Sequence, residues 1–227
     1  MSIDSINLDN QKSLLGRRWK LKDFNERNAI YLSQKFDLKY VVAKLLTIRS
    51  INDDSVENFI NPNFNSDIPN PDKLKDIDIA ALRVVEAIEK KQKIGIIADY
   101  DVDGSTSASI LFKFLKNFNT SIILKIPNRL VDGYGPNIKM MREMLDCKVD
   151  LLFTLDCGTT ANQIIDDKEF KKIDIIVIDH HLSEIQLPNV LAIINPNRLD
   201  ELGGKVFFRA FGGDFILHTF LKFFKNW

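Results

Sequence analysis

Three short stretches of the sequence carry carboxylates or imidazoles at close spacing. They are "DYDVD" (Asp99, Asp101 and Asp103), "LDCGTT" (Asp156) and "IDHH" (Asp179, His180 and His181). Several carboxylates on one surface repel each other unless a cation is present. Oxygen ligands with one or two imidazoles suit Mn²⁺ or Mg²⁺, whereas Zn²⁺ prefers more His or Cys ligands and Ca²⁺ prefers oxygen alone. These residues therefore predict a site for divalent ions, and we expect two of them.

Two such ions predict a particular reaction. Held about 3.5 to 4 Å apart, they lower the pKa of a bridging water and clamp the attacking and leaving oxygens of a phosphoryl group. Hydrolysis of a phosphate ester or anhydride is the expected chemistry. The chain has three histidines and two are adjacent here, so we interpret His180 as a metal ligand. Side chains of adjacent residues point in different directions, so His181 is expected to face the substrate and not the metal ion that His180 binds.

Simpler interpretations exist for parts of this pattern. An Asp after a strand is often a helix cap, although capping alone does not explain three such stretches. The residues from Asp99 to Ile110 resemble a calcium-binding EF-hand loop, but the twelfth position is Ile110 where that loop needs a glutamate. "DVDGST" approximates the haloacid dehalogenase-like phosphatase signature, but the later strand carries His-His instead of the acidic pair of those enzymes. Ser105 and Thr106 either offer hydroxyls and amides to an anion or form a first helical turn, and Gly104 allows a close backbone approach.

The elements that position these residues follow from the hydrophobic pattern. Short β-branched runs alternate with amphipathic segments of ten or more residues, which predicts βαβ units. The predicted strands are "KIGIIA", "SIILKI", "VDLLFTL", "IDIIVI" and "VLAII"; the predicted helices include "DIAALRVVEAIEKKQ", "STSASILFKFLKNF", "NIKMMREMLDC" and "ANQIIDDKEFKK". The predicted fold class is α/β, a doubly wound parallel β-sheet with flanking helices, preceded by a small helical N-terminal segment. Ligands of such sheets bind at the carboxyl ends of strands, where all three stretches lie.

Composition limits the remaining possibilities. The chain has 227 residues, 45% of them hydrophobic, and a formal net charge of zero, so any nucleic-acid binding must come from a local patch. Two cysteines and an N-terminus without a signal-peptide pattern predict a cytoplasmic protein. No apolar run approaches the roughly 20 residues of a membrane span, so no membrane association is expected. We predict an N-terminal helical segment and connecting loop (1–77), a catalytic α/β domain (78–200) and an aromatic-rich tail (201–227).

The motifs resemble those of the DHH phosphoesterase superfamily and, within it, the RecJ-type single-stranded-DNA-specific exonucleases. The matching stretches are "ADYDVDGSTSASIL", "TLDCGTT" and "IDHH", with support from "IPNRLVDGYG" and "INPNR". The resemblance extends from about Trp19 to Asp200. It implies the DHH phosphoesterase domain and removal of nucleotides from the 5′ end of single-stranded DNA, in the presence of Mn²⁺ or Mg²⁺, during recombination and repair.

The resemblance also implies roles for individual residues. Asp101 and Asp103 would bind metal ions, Asp156 would bridge them and His180 would complete one coordination sphere. His181 would contact the scissile phosphate. Asp99 and Asp179 would be ligands or would hold the imidazoles in place. Arg129 would hold a phosphate through its guanidinium, the alternative being a surface salt bridge.

The end of the chain departs from the family pattern. A fourth motif with a further metal-binding Asp is expected after Asp200, and the "GGD" setting of Asp214 does not match it. The sequence therefore predicts a C-terminally truncated form, with Phe220 and other tail aromatics exposed unless something packs on them. A metal-binding remnant without turnover is one alternative. Another is a phosphodiesterase acting on short oligonucleotides or cyclic dinucleotides.

Overall fold

A computed structural model describes residues 13–18, 20, 22–63, 70–201, 217, 220 and 221. The chain divides into two compact units, Met1–Ile68 and Pro69–Trp227. The functional division at 77/78 and 200/201 remains a prediction. No helix in the described part of the chain combines the length and the apolar character that a membrane crossing requires.

The first unit is helical, as the sequence predicts. Its elements are α1 (Glu26–Lys35), α2 (Tyr40–Ile48), a 3₁₀ turn (Asp53–Ser55) and α3 (Val56–Ile60). Asn25 starts α1, because its side chain accepts a hydrogen bond from the Asn28 N–H. Leu32, Ala43, Leu46 and Val56 form a small buried core.

The second unit contains one parallel sheet of five strands. The strands are β1 (Lys93–Ala98), β2 (Ser121–Lys125), β3 (Leu151–Leu155), β4 (Asp174–Ile178) and β5 (Ala192–Ile194). They lie in the order β2-β1-β3-β4-β5, and every neighbouring pair is parallel. β1 and β3 are buried almost throughout, which explains their continuous apolar runs. The five predicted strands and the predicted fold class are confirmed.

Helices cover both faces of this sheet. They are α4 (Ile77–Glu89), α5 (Val102–Lys116), α6 (Ile138–Asp146) and α7 (Asn162–Ile165), with 3₁₀ turns at Pro71–Lys73 and Lys168–Phe170. α4 and α5 pack on one face, against side chains such as Ile96 and Phe153. α6 packs on the opposite face, where Ile97 and Leu152 point. This alternation along each strand is what a sheet buried on both sides requires.

The predicted helix over "ANQIIDDKEFKK" (161–172) is wrong. Only α7 and the short 3₁₀ turn form there. The cause is the Asp pair that follows α7: Asp166 accepts a hydrogen bond from the Asn189 N–H, and Asp167 accepts one from the Glu169 N–H. Short polar side chains that bond to backbone amides compete with helix propagation.

Part of the C-terminal tail packs into the main core. Leu217, Phe220 and Leu221 are buried in the cluster on the α4 and α5 face, so Phe220 is covered. The other tail aromatics and Asp214 lie outside the described residues.

Candidate metal centre

The three stretches that carry the carboxylates and imidazoles meet because the strands before them are neighbours in the sheet and end at the same level. Ala98, Leu155 and Ile178 are paired across β1, β3 and β4, so the residues that follow them form a row. Backbone hydrogen bonds continue through the row: the Asp99 N–H donates to Leu155, the Asp156 N–H to Ile178 and the Asp179 N–H to Ile194, over 2.8 to 3.1 Å. Residues far apart in sequence thereby lie side by side at one sheet edge.

The strand order reverses within this row, between the ends of β1 and β3. After β1 the chain forms β2 on one side, then crosses to form β3 on the other side of β1. Helices α5 and α6 pack on opposite faces of the sheet, so the two connections diverge beyond the ends of β1 and β3. Parallel sheets bind ligands at such switch points. The aspartates after β1 and β3 occupy it.

Asp156 is a buried carboxylate without compensating donors. Asp156 is 1% exposed, and neither of its carboxylate oxygens accepts a well-aligned hydrogen bond from the described residues. Nε2 of His180 lies 3.1 Å from Oδ1. Burial, with the nearby Asp101 and Asp179 carboxylates adding to it, raises the pKa of Asp156 to about 8. The backbone here has φ +59°, a strained conformation for a residue other than glycine.

Asp99 and Asp101 bring further carboxylates to Asp156. The three residues each offer an oxygen, and these oxygens lie within 4.8 Å of one another. Asp99 is buried and its Oδ1 has no partner among the described residues; burial raises its pKa. Asp101 caps α5, because Oδ1 accepts a 2.9 Å hydrogen bond from the Gly104 N–H. Crowded, unsatisfied carboxylates of this kind are the donor set that a hard divalent cation neutralises.

His180 and Asp103 lie on the outer side of this group. Nε2 of His180 is 3.9 Å from Oδ2 of Asp103, which is partly exposed. His180 also belongs to a second group able to hold a metal ion, formed with Asp156 and His181. Asp156 is common to both groups, which is the position that a bridging ligand would occupy.

His181 is held by Asp179. Its Nδ1 lies 2.7 Å from Oδ1 of Asp179, and this bond raises the pKa of the imidazole. Burial alone would raise the pKa of Asp179, but hydrogen bonds from His181 and Thr159 lower it below its usual range. Oδ1 of Asp179 also accepts the His180 and His181 N–H groups. Its oxygens are therefore occupied by protein donors, so its geometry is that of a support for the histidines.

The predicted phosphate-binding residues have different surroundings. Arg129 lies with its guanidinium 5.5 Å from the ring centroid of Tyr100, and no described carboxylate lies within ion-pair distance of it. Thr106 donates its hydroxyl to the Val102 carbonyl, as in an ordinary first helical turn. The Ser105 N–H donates to the Asp101 carbonyl within the same turn. The helical interpretation of Ser105 and Thr106 is favoured, whereas Arg129 remains available to an anion.

Sequence reasoning missed several residues of this centre. The Tyr134 hydroxyl donates to the Asp156 carbonyl over 3.0 Å and lies 3.0 Å from Nδ1 of His181. Burial raises the pKa of Tyr134, which keeps the hydroxyl protonated. Asn195 is fully buried and follows β5 in the same row as Asp179. Both residues lie in stretches that carry the family resemblance, "IPNRLVDGYG" and "INPNR", but neither was assigned a role. The strand-end rule that identified the aspartates could have found Asn195, whereas no strand or helix pattern signals Tyr134.

Comparison with known proteins agrees with this geometry. The sequence matches the DHH family, N-terminal domain, over residues 93–209, which include all three stretches. A crystal structure of exonuclease RecJ bound to manganese superposes with a TM-score of 0.55 at 31% identity, covering 63% of this chain and 36% of that chain.

Two relatives found by sequence comparison are also named RecJ. The chain is 30% identical over 182 residues to the single-stranded-DNA-specific exonuclease RecJ of Bacillus subtilis (strain 168), covering 80% of this chain and 23% of that protein. It is 36% identical over 129 residues to the RecJ of Haemophilus influenzae, covering 56% of this chain and 22% of that protein. The chain thus spans less than a quarter of the length of these relatives.

Proposed function

Because the chain belongs to the DHH family, we propose that it hydrolyses phosphodiesters with the help of divalent metal ions, as a 5′-to-3′ exonuclease on single-stranded DNA. The observation that carries this proposal is the buried Asp156 carboxylate, which has unsatisfied oxygens between two groups of potential ligands. A buried charge of this kind is costly without a compensating cation. The single-stranded-DNA-specific exonucleases among its relatives support the substrate class.

The ligand set that we propose contains Asp99, Asp101, Asp103, Asp156 and His180. Oxygen donors with one imidazole fit Mn²⁺ or Mg²⁺, and the manganese-bound RecJ structure supports that choice. Divalent ions held there supply Lewis acidity toward a phosphoryl oxygen and lower the pKa of water. Asp156 belongs to both groups of potential ligands, so its carboxylate would be shared between them.

The remaining residues position the substrate and handle protons. The raised pKa of His181 favours its protonated form, which can donate a hydrogen bond to a phosphate oxygen. Asp179 fixes the orientation of that imidazole through Nδ1. Arg129, stacked on Tyr100, supplies a second cation for the phosphodiester. The described cysteines are free thiols, in keeping with our proposal of a reducing cytoplasm.

Purified protein incubated with Mn²⁺ should release mononucleotides from single-stranded DNA labelled at its 5′ end. We expect no release from blunt duplex DNA of the same sequence. We also expect none when EDTA is present or when the protein carries Asp156→Ala. Asp146→Asn, which removes an exposed carboxylate at the end of α6, is the matched control and should retain the activity. Mn²⁺ binding without any release would contradict the proposed hydrolysis, and release from a 3′ label first would contradict the polarity.

Mn²⁺ binding should weaken as the pH falls below about 8. In the metal-free protein the pKa of Asp156 is raised to about 8, so below this pH a proton must leave before the carboxylate can bind an ion. A single such proton lowers the apparent affinity by about tenfold per pH unit. Isothermal titration calorimetry at pH 6, 7 and 8 would measure this, with circular dichroism as a check that the fold persists. Equal affinities at pH 6 and pH 8 would contradict the assignment of Asp156 as a ligand.

A further inference from the structure

The backbone of the histidine pair lies beyond the regular part of the sheet. β4 ends at Ile178, and residues 179–191 contain no helix or strand. The direction of the His180 imidazole therefore depends on what fixes the local peptide groups. Asp179 accepts the N–H groups of both histidines, which accounts for one side of each residue. The carbonyl groups need other partners.

Two asparagines supply those partners from the turn after β5. Nδ2 of Asn195 donates to the His181 carbonyl over 3.0 Å, and Nδ2 of Asn197 donates to the His180 carbonyl. Each histidine thus has both its backbone N–H and its backbone carbonyl engaged in a hydrogen bond. The asparagines contact the backbone, so they restrain the histidines without occupying the imidazole nitrogens.

The orientation of Asn195 is itself determined by its surroundings. Its Oδ1 accepts a 2.8 Å hydrogen bond from the Asn197 N–H, while Nδ2 also donates to the Thr159 hydroxyl over 2.8 Å. Because a backbone N–H can only donate and a carbonyl can only accept, turning the carboxamide over would lose the contacts to the Asn197 N–H and to the His181 carbonyl. The fully buried Asn195 thereby ties Asn197 and the histidine turn together.

The buried Arg198 guanidinium, paired with two partly exposed carboxylates, holds the far end of this turn. Arg198 donates through Nη1 to Oδ2 of Asp76 over 2.5 Å and to the Ile193 carbonyl over 2.7 Å. Its Nε donates to Oδ1 of Asp200 over 2.7 Å. Oδ2 of Asp76, just before α4, also accepts the Ile193 N–H. We call Asp76, Arg198 and Asp200 the Arg198 clasp; it fixes the turn to the body of the sheet.

We infer that Asn195 and Asn197 are positioning residues that aim the His180 imidazole at a divalent ion by holding the carbonyls of the histidine pair. This inference rests on the proposed function, because it takes His180 to be a metal ligand. A partner that fixes a ligand without touching the metal typically accounts for a 10- to 100-fold change in metal affinity. Asn197 is the more direct of the two, because it bonds to the His180 peptide.

The test compares Mn²⁺ dissociation constants of Asn197→Ala, Asn162→Ala and the unaltered chain, at a temperature where circular dichroism shows each to be folded. Asn162 is the matched control, because its Nδ2 also donates to a carbonyl of the same irregular segment, that of Gln186, but away from the histidines. We expect Asn197→Ala to weaken binding by about tenfold or more and Asn162→Ala to leave it within about twofold. A changed Mn²⁺ electron paramagnetic resonance spectrum should accompany the first substitution only.

Mn²⁺ affinity of Asn197→Ala within about twofold of the unaltered chain would overturn the inference, as would equal weakening in Asn162→Ala. If Asn197→Ala does not fold, Asn197→Ser, which keeps a donor but shortens its reach, is judged by the same criteria. Failure of the unaltered chain to bind Mn²⁺ is a separate outcome: it would overturn the proposed function and this inference together.

Discussion

We expect Asp156→Asn to weaken Mn²⁺ binding severely and to remove the proposed hydrolysis, while making the metal-free protein more stable. The carboxylate is buried beside other acids, and neither oxygen accepts a well-aligned hydrogen bond from the described residues, so its ionised form is unfavourable until a cation arrives. Asparagine is nearly isosteric, is neutral and tolerates the left-handed backbone at this position. We expect Mn²⁺ to bind more than about 100-fold more weakly, since even an indirect partner can account for that much.

The pH dependence of this stabilisation follows from linkage. The pKa of Asp156 is about 8 in the folded chain, above the usual value of 3.8, so between these values the unfolded chain loses the proton while the folded chain keeps it. Folding stability from this group therefore falls as the pH rises from about 4 to about 8. At pH 7.5 without metal, Asp156→Asn should gain about 2 to 4 kcal/mol, a rise of about 5 °C or more in melting temperature.

Differential scanning calorimetry in EDTA, with Asp146→Asn as the control for loss of an exposed carboxylate, would measure the change. We expect the control to shift the melting temperature by less than about 2 °C, as surface substitutions usually do. A lower melting temperature for Asp156→Asn than for the unaltered chain would refute the argument that burial of this carboxyl group destabilises the metal-free fold.

Gly104→Ala should destabilise the protein by about 3 kcal/mol or more. In an ordinary helix this substitution is favourable by about 1 kcal/mol. Here a Cβ on Gly104 would lie 2.3 Å from the Asp99 carbonyl oxygen and 2.7 Å from the Asp99 nitrogen, and these backbone atoms belong to the strand end. Relief requires the first turn of α5 to move away from β1, which separates Asp99 from Asp101. Mn²⁺ affinity should therefore fall together with stability.

Gly133→Ala is the appropriate comparison for this steric effect. Gly133 has φ +77°, but its Cβ would meet no atom within 4 Å. The substitution therefore introduces only backbone strain, about 1 kcal/mol. Urea denaturation of both variants would separate the two causes. Similar losses for Gly104→Ala and Gly133→Ala would show that close packing under the strand end is unimportant.

The main features of the fold were predictable because they depend on sequence-wide patterns. Buried parallel strands are continuous apolar runs, and the row of Asp99, Asp156 and Asp179 follows from where those runs end. The calcium-loop interpretation fails for the same reason: Asp99 ends a strand and Asp101 caps a helix, so the segment is not a loop between two helices.

The finer geometry was not predictable because it depends on side chains in irregular segments. The helix predicted over 161–172 is interrupted by hydrogen bonds of the Asp166 and Asp167 side chains. Helix propensities of the individual residues do not reveal such bonds. Tyr134 reaches the centre from a loop whose path has no periodicity to interpret. The separate environments of Asp101, bonded to Gly104, and Asp103, near His180, likewise depend on the start of α5.

The Arg198 clasp has a consequence for the order of events during synthesis. It joins residues 122 positions apart in sequence, so it can close only after nearly the whole second unit has left the ribosome. A nascent chain that already contains the three acidic stretches lacks the turn that restrains its histidines. We therefore expect the ability to bind divalent ions to arise late, when the sheet is complete.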